Sequence, residues 1–290
     1  MSKKTRVAVI TGASAGIGLA AAKAMAALGW RVIGLGRNPK RSRDALRDIQ
    51  RHAPHARVDM VIADLAIMAE ARRAADEISQ LTDSVDILLN NAGGIGKELN
   101  LTPEGNEAVF AGNHLGPFLL TNELLPLLRA ASAKAEPGRV RVVNVSSAAS
   151  GSSSGLDWDD LQSKDNYIAY SAYANAKLAN LMFTRALATR LEEDGIAVYA
   201  MHPGIADTNF GMYADADMQR TLEEYKNITV SPAEAADTLV WLSTEERLPY
   251  PSGTFFYRRE PVAMNEIAED EAETERLWRE SATLVEEALT

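Results

Sequence analysis

The stretch Val7-Ala8-Val9-Ile10-Thr11-Gly12-Ala13-Ser14-Ala15-Gly16-Ile17-Gly18 joins a short apolar run to a glycine-rich turn and then to the helical period of Ile17 to Leu28. The run is too short for the apolar core of a secretory signal, and Gly12 cuts it off, so it reads as a strand. Between a strand and a helix, glycines let the chain turn tightly and let a pyrophosphate approach the backbone. Helix-terminal N–H groups then point at the anion. Gly12, Ser14, Gly16, Ile17 and Gly18 are therefore candidate nucleotide-binding residues.

Outward from this turn, β-branched runs alternate with helical stretches. Strands are expected at Arg6 to Thr11, Val32 to Leu35, Val58 to Ala63, Val85 to Asn90, Val140 to Ser146, Ala197 to His202 and near Gly253 to Tyr257. Helices are expected at Ile17 to Leu28, Ser42 to His52, Ile67 to Leu81, near Thr102 to Gly112, Phe118 to Ala133, Ala169 to Glu193 and Pro232 to Ser243. At the last of these, Ser231, Pro232 and Glu234 spell a capping box with proline at the first helical position. The alternation predicts an α/β fold: a single Rossmann-type, doubly wound parallel sheet of about seven strands with helices on both faces. Its ligand cleft would lie at the carboxyl ends of the strands.

No Pro/Gly/Ser linker divides the pattern, so residues 1–260 read as one nucleotide-binding domain of the Rossmann type. Residues 261–290 carry nine acids and two bases and read as an acidic helical extension packed on that domain, through Ile267, Leu277, Trp278, Leu284 and Leu289. Two excursions, 148–166 and 205–229, are either binding loops or plain surface loops.

Composition limits the functions open to the chain. With 290 residues, 46% apolar and 24% charged, it can bury a large core and keep a solvated surface. No cysteine is present, which removes disulfides, thiolate metal sites and cysteine nucleophiles, so any redox chemistry must come from a cofactor. The net charge of −10 disfavours a nucleic-acid partner. Residues 31–57 run the other way, with eight bases against two acids, which suits one small phosphorylated ligand. No apolar stretch is long enough to span a membrane, and the expected location is the cytoplasm. His52 and His55 lack ligand partners at metal spacing, so no metal site is expected. Asn144-Val145-Ser146 and Asn227-Ile228-Thr229 fit the glycosylation pattern but lack a secretory context.

The second strand ends in Leu35-Gly36-Arg37-Asn38, where a dinucleotide fold would place an acid on the adenosine ribose. Arg37 stands there instead, which favours the 2′-phosphate of NADP(H) over NAD(H). In Tyr170-Ser171-Ala172-Tyr173-Ala174-Asn175-Ala176-Lys177, Tyr173 and Lys177 share one helix face. A phenol is a weak acid at neutral pH. Lowering its pKa from about 10 to about 7 takes roughly 4 kcal/mol, much of which a nearby ammonium and a cationic nicotinamide can supply. The spacing alone is common on surface helices. Tyr167 and Tyr170 either line a pocket or pack.

The order of Thr11 to Gly18, Asp64-Leu65, Asn90-Asn91-Ala92-Gly93, Asn113, Val143-Asn144-Val145-Ser146-Ser147, Tyr173 with Lys177, and His202-Pro203-Gly204 with Thr208 resembles the classical short-chain dehydrogenases/reductases nearly end to end. Asn113-His114-Leu115-Gly116-Pro117-Phe118 and Lys177-Leu178-Ala179-Asn180 look like the retinol-dehydrogenase-like branch, as does the long gap from Ser147 to Tyr173. The resemblance implies that Tyr173 is the catalytic acid/base and that Lys177 binds the nicotinamide ribose and tunes Tyr173. Ser147 would hydrogen-bond the substrate oxygen, and Asn113 would hold a relay water. It also implies that Asp64 and Leu65 flank the adenine, that Asn91, Ala92 and Gly93 line the cofactor, and that Pro203, Gly204 and Thr208 meet its nicotinamide end.

The expected activity is NADP(H)-dependent interconversion of a carbonyl and an alcohol on a hydrophobic small molecule by hydride transfer. Leu156, Trp158, Tyr167, Phe210, Met212 and Tyr213 in the excursions suggest the apolar substrate. The resemblance further implies a homodimer or homotetramer, unless the acidic extension caps the helices that would build it. The alternatives are a non-catalytic NADP(H)-binding sensor and a C=C reductase or epimerase on the same fold.

Overall fold

The run Val7–Ile10 is β1, buried at all four positions in the middle of an eight-stranded sheet. Around it lie β2 (Arg31–Gly36), β3 (Val58–Ile62), β4 (Ile87–Asn90), β5 (Val140–Val145), β6 (Ile196–Met201), β7 (Phe255–Tyr257) and β8 (Glu260–Pro261). The computed structural model describes residues 5–207, 214, 219–220, 223–224, 227 and 229–290. Strand order is β3-β2-β1-β4-β5-β6-β7-β8, parallel throughout except for the antiparallel pair β7 and β8. A parallel strand covered on both faces has no polar side, which is why β1, β2, β4, β5 and β6 are buried at every position.

The helices that frame the sheet are α1 (Gly16–Ala27), α2 (Pro39–His52), α3 (Met68–Leu81), α4 (Ala108–Phe110), α5 (Gly116–Ser132), α6 (Ala169–Arg190), α7 (Pro232–Thr244) and α8 (Glu271–Ala288). One core layer joins the sheet to α1, α2 and α7 through Met25, Ile49 and Leu239. The larger layer joins the other face to α3, α5, α6 and α8 through Ile78, Leu120, Leu181 and Leu277. Asn38 caps α2 by accepting from Arg41 N–H at 2.9 Å, with Pro39 opening the helix. The capping box of Ser231 and Glu234 opens α7 as the sequence suggests.

The structure departs from the sequence-based expectation in three places. The eighth strand was not foreseen: Glu260–Pro261 is a two-residue edge piece, too short for a period, reached through Arg258 and Arg259 at φ of 48° and 66°. The helix expected from Thr102 begins only at Ala108. Pro103-Glu104-Gly105 turns instead, with Gly105 at φ 80° donating to the Thr102 carbonyl at 2.9 Å. Finally, no break separates Gly112 from Phe118. Ala111–Leu115 is a π-helical turn that carries α4 straight into α5. Glu107 caps this composite helix, its carboxylate accepting from the N–H groups of Val109 and Phe110 at 2.8 and 2.6 Å.

The acidic extension is the 3-10 turn Glu266–Glu269 followed by α8. Ile267, Leu277, Trp278, Leu284 and Leu289 all pack against the larger core layer. Arg190 on α6 pairs bidentately with Glu275 at 2.6 Å and lies 3.9 Å over the Trp278 ring. The excursion from 148 opens in a 3-10 turn, Ala148–Ser152. Most of 205–229 lies outside the described residues. Its described ends meet where Ala206 bridges Val230 in parallel.

Candidate active site

The turn after β1 is held to the end of β4 by Thr11, whose hydroxyl accepts from the N–H groups of Asn91 and Ala92 at 2.9 and 2.8 Å. Asn91 returns a side-chain N–H to the Thr11 carbonyl at 2.8 Å. Gly12 and Gly16 adopt φ of 69° and 54°, the left-handed region that side chains resist. A Cβ on Gly18 would collide with the Gly12 carbonyl and with Asn91 Nδ2 at 2.5 Å, so this helix turn can sit against the loop only as glycine.

Helix α1 starts at Ala15 with no side-chain cap and no acid in its first turn. Its leading N–H groups therefore keep donor capacity for an anion, which is the fit a dinucleotide pyrophosphate requires. Arg37 follows β2, half-exposed, with Nη1 3.8 Å from Asp64 Oδ2. Asp64 also accepts from Ala66 N–H at 3.1 Å, and Leu65 is buried against the backbone of Gly116.

The second cluster forms where β4, β5 and α6 converge. Ser147 follows β5, accepts from Ala149 N–H at 3.2 Å and hydrogen-bonds Tyr173. The Tyr173 ring centroid is 5.6 Å from Lys177 Nζ, and Lys177 donates to the Val145 carbonyl at 3.1 Å. Asn113 sits inside the π-turn, its side-chain amide donating to the carbonyls of Val109 and Gly94 at 2.7 and 2.8 Å and accepting from Gly94 N–H at 3.2 Å. A Cβ on Gly93 would press on Asn113 Oδ1 and lie 3.1 Å from Lys177 Nζ, which links the Asn91-Ala92-Gly93 loop to both groups.

Ser147, Tyr173, Lys177 and Asn113, far apart in the chain, thus meet in one place. Burial pushes the Tyr173 phenol up to about 12, against the lowering effect of its bond to Ser147, and pushes Lys177 down to about 8. The sequence reading expects a phenol lowered by its lysine; in the protein alone, desolvation raises it and the bond to Ser147 is the lowering influence. Ser146 is turned away from this cluster, donating to the Lys177 carbonyl at 2.7 Å.

Pro203 and Gly204 follow β6, Gly204 at φ 76°, and border a cleft of about 500 Å³ with His202, Val230 and Tyr257. A second cleft of about 560 Å³ lies between the Ala148–Ser152 turn and Phe255, Val262, Met264 and Ile267. Thr208, Phe210, Met212 and Tyr213 lie outside the described residues. Tyr167 donates to the Gly96 carbonyl at 3.2 Å, and Tyr170 shares a 3.0 Å hydrogen bond with Ser152.

Two contributors escaped the sequence reading. Thr11 stands in the sequence as strand end and head of the glycine-rich motif, with no role for its hydroxyl, yet that hydroxyl joins two loops. Asn180 lies one turn beyond Lys177, and its side chain reaches the same Val145 carbonyl at 3.4 Å; helical spacing from Lys177 is the signal that could have found it.

The model of the short chain dehydrogenase family matches residues 6–219, and the chain belongs to that family. It is an oxidoreductase on a nicotinamide-dinucleotide-binding Rossmann fold, of the retinol-dehydrogenase-like branch. It is 35% identical over 286 residues to Retinol dehydrogenase 13 of Homo sapiens, covering 97% of this chain and 84% of that one. It is 33% identical over 291 residues to the chloroplastic Short-chain dehydrogenase TIC 32 A of Brassica napus, covering 98% and 89%. Among solved structures, an uncharacterised Mycobacterium paratuberculosis protein aligns with TM-score 0.75 at 29% identity, covering 97% and 93%. The Pseudomonas aeruginosa RhlG/NADP active-site complex aligns with TM-score 0.68 at 28% identity, covering 87% and 93%. Among the described residues, no helix is long and apolar enough to cross a membrane.

Proposed function

We propose that the protein is an NADP(H)-dependent reductase or dehydrogenase that interconverts a carbonyl and an alcohol on a hydrophobic small molecule. The observation that carries this reading is the convergence of Ser147, Tyr173, Lys177 and Asn113 at the carboxyl ends of β4 and β5. A binding module has no use for a phenol, an ammonium, a hydroxyl and an amide focused on one spot.

In this reading, the N–H groups at the start of α1 and Ser14 hold the pyrophosphate. Arg37 takes the 2′-phosphate, supported by Arg41, whose buried Nε has no hydrogen-bond partner among the described residues. Asp64 and Leu65 flank the adenine, Asn91 to Gly93 line the middle, and Pro203, Gly204 and Thr208 meet the nicotinamide end. The cofactor, when bound, supplies or accepts the hydride.

Ser147 donates a hydrogen bond to the substrate oxygen and holds it beside Tyr173. Tyr173, with its pKa raised to about 12, carries its proton at neutral pH and delivers it to the forming alkoxide. For alcohol oxidation it must act as a base. Lys177, at about 8 still mostly protonated at pH 7, is the resident cation that favours the phenolate. Asn113 fixes the Gly94 backbone and orients a water that returns the proton to solvent.

The relatives named as retinol dehydrogenases support an apolar alcohol or aldehyde as substrate. A cytoplasmic location and a homodimer or homotetramer complete the reading; a partner meeting α6 would meet α8 with it, because Glu275 and Trp278 lie on Arg190.

The test follows NADPH and NADH oxidation at the nicotinamide absorbance across a panel of hydrophobic aldehydes and ketones, with Tyr173→Phe as control. Turnover with NADPH that collapses in the variant, while NADPH binding persists, supports the reading. Full turnover in Tyr173→Phe, or a product reduced at C=C rather than at the carbonyl, overturns it.

A further inference from the structure

The residue after Asn113 points into a different environment. His114 is fully buried, its ring packed by Phe110, Phe118 and Phe183 at centroid distances of 5.1, 6.1 and 6.0 Å. Its Nε2 shares a hydrogen bond of 2.7 Å with Ser281 Oγ on α8, and Ser281 is itself fully buried. These partners are 167 positions apart in the chain. Its other ring nitrogen, Nδ1, is buried without a hydrogen-bond partner among the described residues, although Asn180 lies near the ring. Asn180 donates to the Val145 carbonyl at 3.4 Å, the same oxygen that receives Lys177 Nζ at 3.1 Å. A buried polar line therefore runs from the C-terminal helix through His114 to the π-turn that carries Asn113.

Docking of α8 does not explain this line. The helix is already fastened by the buried Leu277 and Val285, by the ion pair of Glu275 with Arg190, and by Glu273 accepting from Trp158 Nε1 at 3.1 Å. An imidazole in an aromatic cage is costly to desolvate, and an apolar pair would serve docking alone as well or better. What an apolar pair cannot do is fix the rotation of a helix turn by a directed bond. The turn in question is π-helical, carries one residue more than an α-turn, and has the Val109 carbonyl occupied by the Asn113 side chain.

We propose that Ser281, on the C-terminal helix, is a positioning residue for the reaction: through His114 it sets the π-turn that aims Asn113. The role rests on the function proposed above. The extension is in this view a working part of the active site, although none of its α8 residues reaches the reacting groups.

The experiment uses the full chain and four proteins: wild type, Asn113→Ala, Ser281→Ala and Ser281→Thr, which restores the hydroxyl. For each, kcat and KM are measured with NADPH and one active carbonyl substrate, well below the melting temperature. Ser281→Ala is expected to lower kcat about tenfold with KM for NADPH unchanged, since sub-ångström misplacement of reacting groups is enough for that. Ser281→Thr should recover kcat to within about twofold, which simple loss of stability would not follow. A kcat in Ser281→Ala within about twofold of wild type overturns the proposal, as does a loss that threonine fails to restore or a parallel rise in KM for NADPH. Should Ser281→Ala not fold, His114→Phe, which fills the same cage without a ring nitrogen, takes its place under the same criteria. An inactive wild type, or a fully active Asn113→Ala, defeats the proposed function itself. An active wild type and a crippled Asn113→Ala beside an unaffected Ser281→Ala defeat only the positioning role.

Discussion

Arg37 Nη1 stands 3.8 Å from Asp64 Oδ2, with the two side chains 55% and 35% exposed. Exposed pairs at such distances contribute little to stability, so the guanidinium can exchange the carboxylate for a more highly charged phosphate at small cost. Arg37→Ala should therefore weaken NADPH binding by about 10- to 100-fold, the range for a hydrogen bond to a charged group, and leave NADH binding within about twofold. Titration of both cofactors against cofactor fluorescence decides it. Equal losses for the two would mean that Arg37 does not read the 2′-phosphate.

Gly93 has no room for a side chain on the face it turns to Asn113 and Lys177. The backbone there is ordinary, so alanine is tolerated conformationally and its methyl group is accommodated by displacing those two groups. Gly93→Ala should keep its melting temperature within a few degrees and lose about 100-fold in kcat, as expected for misplacement of about 1 Å. A fully active Gly93→Ala would show that Asn113 and Lys177 tolerate that displacement.

Lys177 is held at about 8 by burial, below its ordinary value of 10.5. Its folded pKa is depressed, so between about pH 8 and 10.5 the unfolded chain holds more protons than the native one, and stability from this group rises with pH across that window. At neutral pH the buried ammonium is a burden of about 3 kcal/mol at 1.36 kcal/mol per unit. Lys177→Met should thus be more stable than wild type at pH 7 by roughly 2 kcal/mol, with the difference fading by about pH 10. Urea denaturation at the two pH values is the measurement; a gap that grows with pH would contradict the sign. Above about pH 10, Tyr173 works the other way, because its raised pKa keeps it protonated after the unfolded phenol ionises.

Arg141, only 2% exposed, donates from Nε to the Gly138 carbonyl at 2.7 Å, from Nη1 to Leu242 at 2.6 Å and from Nη2 to Glu245 at 2.7 Å. From the start of β5 it satisfies carbonyls at the C-terminal end of α7. Arg141→Met leaves three acceptors to find new partners and should cost about 3 kcal/mol, with NADPH affinity unchanged. A loss under about 1 kcal/mol by urea unfolding would mean that water replaces the guanidinium.

The strand-helix alternation and the nucleotide turn were legible in the sequence because their causes are local. A buried strand is a short apolar run, a helix start is Ser231 with Pro232 and Glu234, and a left-handed turn is a glycine such as Gly12 or Gly16. Tyr173 and Lys177 were legible as well, since helical spacing alone puts them on one face. The start of α4 was not, because Glu107 and the Thr102–Gly105 turn compete for the same residues and packing settles the contest.

What only the tertiary structure decided are the long-range meetings. Ser147 reaches Tyr173, Asn113 clasps Gly94, Arg37 meets Asp64, and Ser281 reaches across 167 positions to His114. The sequence determined by itself which residues could do this chemistry and that Tyr173 and Lys177 would share a helix face, but it left Asn113 between two helices rather than in the π-turn that carries it. Which of them touch depended on how the two core layers clamp the sheet, because a contact between distant residues is chosen by the burial of everything around it rather than by the two residues that make it.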